Sequence, residues 1–153
     1  EAGLQVMADS SFAEQENALS RGGYIVLYDG VPIDWKSTIM KGVSTSTGEA
    51  EYKCLMPAVL EAIYYSDLCK EIGLEVDESV PVWTDSTVAK AIATAPYVTK
   101  RARMYKVAYH RVREEVQAKT VKIDHVAGTE ILADVMTKST TRLFHRECCT
   151  RML

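Results

Sequence analysis

Residues 22–37 read Gly22-Gly23-Tyr24-Ile25-Val26-Leu27-Tyr28-Asp29-Gly30-Val31-Pro32-Ile33-Asp34-Trp35-Lys36-Ser37. Gly22 to Tyr28 is strand-like, being rich in aromatic and β-branched residues that suit a pleated surface. Asp29-Gly30 is the dipeptide that a two-residue hairpin turn favours. Val31 to Ser37 then alternates, which predicts Val31, Ile33 and Trp35 turned inward and the polar residues between them outward. A tight antiparallel hairpin is therefore the seed of the fold.

On the N-terminal side, Leu4 to Asp9 is a short apolar run that ends in a carboxylate. On the other side, the Ser/Thr cluster of Ser44 to Gly48 predicts a long helix starting near Ser46 or Thr47 and running to Ile72, with Gly73 ending it. Its apolar stripe takes in Leu55, Val59, Ala62, Ile63 and Leu68, and Pro57 inside the span implies a bend or a later start. Val80 to Asp85 repeats the pattern of an apolar run closed by a carboxylate. Helical stretches follow over Ser86 to Thr94, stopped at Pro96, and from about Thr99 to Gln117. Val121 to Val126 returns as a strand, Thr129 caps a helix through Lys138, and Thr141 to Leu153 adds a last helix. Three opening strands followed by alternation predict an α/β chain with a mixed sheet, antiparallel in its first three strands and parallel thereafter, flanked by helices.

At about 100 to 200 residues per domain, 153 residues predict a single domain over residues 1–153. Hydrophobic residues at 47% and charged ones at 25%, with 8 Gly and 4 Pro, exclude collagen-like, disordered and low-complexity chains. No apolar run approaches the roughly 18 residues of a membrane span, so a soluble globular domain without a membrane partner is expected. The chain begins with Glu1 rather than Met and has no basic-then-apolar leader, which suggests a piece of something longer. Cys54 and Cys69 fall on one predicted helix, about 22 Å apart at roughly 1.5 Å per residue, too far for a bridge. Cys148 and Cys149 are adjacent, and no zinc-like spacing surrounds His110, His125 or His145. Reduced thiols in an intracellular compartment are the expectation.

The net charge of -3 hides an asymmetry. From Ser86 to Arg113 there are seven basic residues (Lys90, Lys100, Arg101, Arg103, Lys106, Arg111, Arg113) and no acidic one, while the other 125 residues hold all 21 acids and 11 basic groups. With Tyr97, Tyr105 and Tyr109 interleaved, such a segment can track a phosphate backbone, since Lys and Arg displace condensed counterions and tyrosine packs on sugars or bases. A solvated helix face is the ordinary alternative.

Four acids stand out. Asp9 and Asp85 end predicted strands, the edge at which α/β sheets bind ligands. Glu51 falls on the inward stripe of the long helix, and Asp134 lies within Ile131-Leu132-Ala133-Asp134-Val135-Met136. Each alone has an ordinary structural reading, such as turn capping at Asp85. Together, four carboxylates facing apolar surroundings repel one another unless a divalent cation neutralises them, and oxygen ligands suit Mg²⁺ or Mn²⁺.

Ala8-Asp9 with Phe12-Ala13, Ser46-Thr47-Gly48-Glu49-Ala50-Glu51-Tyr52, Thr84-Asp85-Ser86 with Ala89, and Leu132-Ala133-Asp134-Val135-Met136-Thr137-Lys138 resemble, in this order, the motifs of the ribonuclease H domain of copia-type (Ty1/copia) LTR retrotransposon polyproteins. The resemblance runs from Leu4 to the C-terminus. It implies a ribonuclease H-like fold with a five-stranded mixed sheet and helices on both faces. It implies an endonuclease that hydrolyses the RNA strand of RNA/DNA hybrids during reverse transcription and leaves 5′-phosphomonoesters. The metal-binding and catalytic acids carry over to Asp9, Glu51, Asp85 and Asp134, holding two Mg²⁺ (or Mn²⁺) ions about 3.5 to 4 Å apart. Glu51 is chosen over Glu49 because the family places its acid directly before an aromatic residue or Leu. Lys100, Arg101, Arg103, Lys106 and Arg111, with Ser86 beside the third acid, are the implied nucleic-acid contacts. A reverse-transcriptase domain of the same polyprotein is the implied partner, and a cytoplasmic retrotransposon particle the implied location.

The chain also departs from that pattern. Where the family commonly has a Thr-Lys-His-Ile-Asp-like stretch, this sequence reads Ala102-Arg103-Met104-Tyr105-Lys106, and Ser86 replaces a frequent Asn. Val126 to Asp134 contains no histidine of the kind many cellular ribonucleases H carry there, and His125 within the strand reads as structural. Two further readings stand beside the endonuclease. One is a domesticated, non-catalytic module that binds nucleic acid or serves as a structural subunit. The other is a different nuclease or resolvase sharing the fold, since fold does not fix function.

Overall fold

A computed structural model describes residues 3–12, 19–42, 44, 46–97 and 110–152. Its elements are β1 (Leu4–Ser11), β2 (Arg21–Tyr28), β3 (Val31–Ile39), α1 (Thr47–Glu71), β4 (Val80–Thr84), α2 (Thr87–Thr94), α3 (His110–Gln117), β5 (Val121–His125), α4 (Asp134–Thr137) and α5 (Arg142–Met152). The strands form one mixed sheet in the order β3-β2-β1-β4-β5. β1 pairs antiparallel with β2, and β2 with β3, whereas β4 runs parallel to both β1 and β5.

The expected hairpin is present. Asp29 and Gly30 both take positive φ, 51° and 80°, which lets a two-residue turn follow the right-handed twist of its strands. The inward alternation expected of Val31, Ile33 and Trp35 is not. All three are exposed, Trp35 to 60%. β3 is an edge strand, and among the described residues α4 is the one helix that packs appreciably against it, so that face has no lid to bury side chains under. Alternation separates the two faces of a strand without saying whether both are covered.

α1 starts and stops where its signals place it. The Ser46 hydroxyl accepts from Glu49 N at 3.2 Å, and the helix closes at Ile72 with Gly73 left-handed beyond it. The helix runs through Pro57, which lies on its exposed side, where water can serve the carbonyl that proline frees. α1 packs on β1, β2 and β4 and buries Leu55, Ala58, Val59 and Ala62; Leu68, expected on the inward stripe, is only half-buried. α2 and α3 add Ala89, Ile92, Ala93 and Val112 to the same core. The Arg113 guanidinium is buried and donates to the carbonyl of Ala95 at 2.8 Å, tying the end of α2 to α3.

The opposite face is thinner. Ile25 and Leu27 meet Leu132 and Cys148, with Met136, Val135 and Phe144 alongside. The helix expected from Thr129 to Lys138 is a correction here: only Asp134–Thr137 is helical, preceded by tight turns such as Glu130 N to Ala127 O at 2.8 Å. Ile131, Leu132 and Ala133 are all buried, and three successive residues cannot share one face of a helix. The helix expected from Thr99 is seen from His110 onward as α3; Lys100, Arg101, Arg103, Met104 and Lys106 lie outside the described residues. All four cysteines are free thiols. Among the described residues, no helix is long and apolar enough to cross a membrane.

Candidate active site

Asp9 lies on β1, the central strand, between β2 and β4. Leu4, Val6 and Ala8 point into the main core, so the period of two turns Asp9 to the opposite face, where α4 packs. Its side chain is 0% exposed. The Thr137 hydroxyl donates to Asp9 Oδ2, while Oδ1 makes no hydrogen bond and has the Lys138 ammonium 3.5 Å away. The Cys54 thiol, reaching from α1, donates to the Asp9 carbonyl at 2.9 Å and fixes the backbone.

Asp9 is opposite Gly23 on β2. A Cβ at Gly23 would stand 2.5 Å from Met136 Cβ, so only glycine lets α4 lie this close to the strand. Ser37 reinforces the seat by donating to the Met136 carbonyl at 2.5 Å. These contacts bring Thr137 and Lys138 to Asp9.

Glu51 is buried in the second turn of α1, and its Oε2 has no hydrogen-bond partner. Asp85 follows β4 directly and is half-buried. Its neighbours hold it: Thr84 Oγ1 accepts from Ser86 N at 3.2 Å, Ser86 Oγ caps α2 by accepting from Ala89 N at 3.1 Å, and the His125 ring nitrogen Nε2 lies 3.1 Å from the Asp85 carbonyl oxygen. Gly128 sits against the Asp85 carboxylate. Asp9, Glu51 and Asp85 each present a carboxylate oxygen, and these oxygens all lie within 4.8 Å of one another.

Asp134 stands apart from that trio. It opens α4 and its Oδ1 accepts from Lys138 Nζ at 2.7 Å. The expectation that only a divalent cation could neutralise the four acids is therefore corrected: Lys138 bridges Asp134 and Asp9. Asp134 and Lys138 stand four residues apart across the one turn of α4, the spacing at which an acid and a base meet, and from there the ammonium also reaches buried Asp9.

Burial pushes the Asp9 carboxyl from the ordinary 3.8 up to about 7, helped by the charges of Asp134 and Asp85 and opposed by Thr137 and Lys138. Burial likewise pushes Glu51 from 4.5 up to about 8, with Asp9 and Asp85 adding to it. Burial draws the Lys138 ammonium down, but its hydrogen bond to Asp134 and the charge of Asp9 outweigh this and hold it above its usual value. The cluster thus retains protons near neutrality in place of a stronger positive charge.

Among the expected nucleic-acid contacts, Ser86 serves as the cap of α2, and Arg111 is exposed with its Nε 2.6 Å from Glu115. Lys90 pairs with Asp124 at 3.1 Å. Sequence reasoning missed Gly23, Thr137 and Lys138. The spacing of four between Asp134 and Lys138 was the one signal available for the lysine.

No family model matches the chain. In structure it is similar to the LC11 ribonuclease H1 isolated from compost, with a TM-score of 0.65 at 16% identity over 89% of this chain and 93% of that one. It is similar also to ribonuclease H1 from Halobacterium salinarum, with a TM-score of 0.56 at 15% identity over 88% and 94%. The fold is ribonuclease H-like. In sequence the chain is similar to the retrovirus-related Pol polyprotein of transposon RE2 from Arabidopsis thaliana, 29% identical over 92% of this chain and 10% of that protein. The corresponding polyprotein of transposon TNT 1-94 from Nicotiana tabacum is 32% identical over 83% and 10%. The chain spans about a tenth of the length of these relatives. Its homologues are Pol polyproteins of copia-type transposons, and fold and homologues together agree with the ribonuclease H domain of such a polyprotein.

Proposed function

We propose that this chain is a metal-dependent endonuclease that hydrolyses the RNA strand of RNA/DNA hybrids during reverse transcription, leaving 5′-phosphomonoesters. The observation that carries it is the meeting of Asp9, Glu51 and Asp85, from three distant stretches, with their oxygens within 4.8 Å. Two buried carboxylate oxygens, Asp9 Oδ1 and Glu51 Oε2, have no hydrogen-bond donor, which fits a site built for a hard cation. Asp9, Glu51, Asp85 and Asp134 are the residues that would hold two Mg²⁺ or Mn²⁺ ions. When bound, such ions lower the pKa of an attacking water and neutralise charge on the leaving oxygen.

The chain's own groups do the rest. Thr137 and Cys54 lock the Asp9 side chain and backbone, leaving Oδ1 without a hydrogen bond. The α2 cap at Ser86 fixes the turn that presents Asp85. The basic segment, through Lys100, Arg101, Arg103, Lys106 and Arg111, grips the hybrid's backbone, with A-form shape and 2′-hydroxyls marking the RNA strand. Neighbours in complex with RNA/DNA hybrid support this substrate, among them LC11 ribonuclease H1 and the foamy viral protease-reverse transcriptase, with TM-scores of 0.59 and 0.61. The Pol relatives and the foamy viral protease-reverse transcriptase support a reverse-transcriptase partner; action as a single domain over residues 1–153 and a cytoplasmic particle as its setting belong to the same proposal.

One observation favours the non-catalytic module instead: Lys138 already neutralises part of the cluster. Incubation with labelled RNA/DNA, dsRNA and dsDNA in Mg²⁺ separates the readings. We expect cleavage of the RNA of the hybrid alone, abolished by Asp85→Asn with the fold intact. Cleavage of duplex or branched DNA would favour a resolvase-like nuclease, and no cleavage with any divalent metal the binding module.

A further inference from the structure

We propose that Lys138 is a displaceable counter-cation of the acid cluster, one that holds Asp9 and Asp134 in the metal-free protein and leaves for solvent when a divalent ion enters, thereby setting the affinity for that ion. The inference rests on the metal-dependent reading above and adds a determinant of metal affinity that the acids alone do not contain.

Asp9 has two partners of different kinds. Thr137 is buried, its hydroxyl on a short side chain beneath α4, and it bonds Oδ2. It cannot withdraw without unseating the helix. Lys138 follows the last residue of α4, is 37% exposed, and reaches Oδ1 at 3.5 Å and Asp134 at 2.7 Å along a flexible four-carbon stem. Rotation about that stem takes the ammonium to water with no change in the backbone. Thr137 stays and Lys138 can go.

The charge arithmetic makes the departure necessary. Asp9, Asp134, Asp85 and Glu51 all face this region, and Asp9, Asp134 and Asp85 all pull on the ammonium. With no divalent ion, the Lys138 ammonium offsets part of the charge of Asp9 and Asp134. A divalent ion beside an ammonium a few ångströms away would meet like-charge repulsion next to buried Asp9 and Glu51, where solvent screens less than at the surface. The ion therefore binds at the expense of the Asp9–Lys138 contact, and its affinity is reduced by the work of breaking it.

Mn²⁺ binding, read from the electron paramagnetic resonance of the free ion, tests this without reference to cleavage. Lys138→Met is expected to bind Mn²⁺ roughly tenfold or more tightly than the wild type, the scale of removing one competing charge at this distance. Lys138→Arg, which keeps the charge, is expected to stay near the wild type. In the wild-type protein, which needs no variant to fold, the Lys138 side-chain NH₃⁺ resonance is expected to move to the position of a solvated lysine as Mg²⁺ saturates. A K138M affinity equal to or weaker than wild type, or an ammonium resonance unmoved at saturation, overturns the inference and leaves the nuclease reading standing. Absence of Mn²⁺ binding in wild type and K138M alike overturns both.

Discussion

On one face of the sheet, α1, α2 and α3 bury a continuous core running from Leu4 and Val6 through Leu55 and Val59 to Val112 and Ile123; on the other, α4 and α5 cover Ile25 and Leu27 with little beyond Leu132 and Cys148. The first face is held by apolar area. The second is held by particular contacts: the missing Cβ of Gly23, the Ser37 hydroxyl on the Met136 carbonyl, and the Thr137 hydroxyl on Asp9. The thick face still contributes Glu51 and Cys54 from α1 to the site, but the contacts on the Asp9 side chain come from the thin face. The thin face is the one that touches the Asp9 side chain, through Thr137 at the end of α4 and Lys138 just beyond it.

That contrast can be broken most decisively in the core. Leu55→Ala, on the thick face, is expected to lower unfolding free energy by about 3 to 5 kcal/mol, whereas Leu132→Ala, in the small cluster, should lose about 2 kcal/mol or less. Chemical denaturation of the two variants checks this, and equal losses would mean that the faces are equally important to stability. Next in size is Gly23→Ala. Its methyl would collide with Met136, so α4 must shift, at a cost of roughly 1 to 3 kcal/mol. Because the shift takes the Thr137 hydroxyl off Asp9 and leaves that carboxylate unoriented, this variant is expected to lose divalent-ion affinity out of proportion to its lost stability, even though moving Lys138 away acts in the opposite sense. A melt and a metal titration on the same sample separate the two effects.

The acids of the site also make stability depend on pH. Asp9 and Glu51 keep their protons in the folded chain up to about 7 and about 8, against 3.8 and 4.5 when exposed. The unfolded chain therefore ionises first, and metal-free stability falls as pH rises from about 4 to about 8. Melting in EDTA should show Tm dropping between pH 5 and pH 8. A Tm that is flat or rises over that range would show that burial does not hold the protons on these acids.

Much of this was legible in the sequence, and the misses share a cause. The Asp29-Gly30 turn, the Ser46 cap and the end of α1 at Ile72 are local signals, decided by residues within a few positions of one another. The carboxylates of Asp9, Glu51 and Asp85 were legible as ends of strands and as an inward helix position. The exposure of Trp35 was not, because it depends on what lies beyond the edge of the sheet. The short α4 was not, because burial of Ile131, Leu132 and Ala133 in succession comes from tertiary packing that overrides the local helix signal. Nor were Gly23 and Thr137, whose roles depend on contacts spanning more than a hundred residues.

Calorimetric titration of Mg²⁺ into the chain at pH 8, alongside Asp9→Asn, bears most directly on the acid cluster as a divalent-ion site. Saturable binding by the wild type that is lost in the variant is the predicted result. No binding, or binding that survives the loss of Asp9, would contradict it.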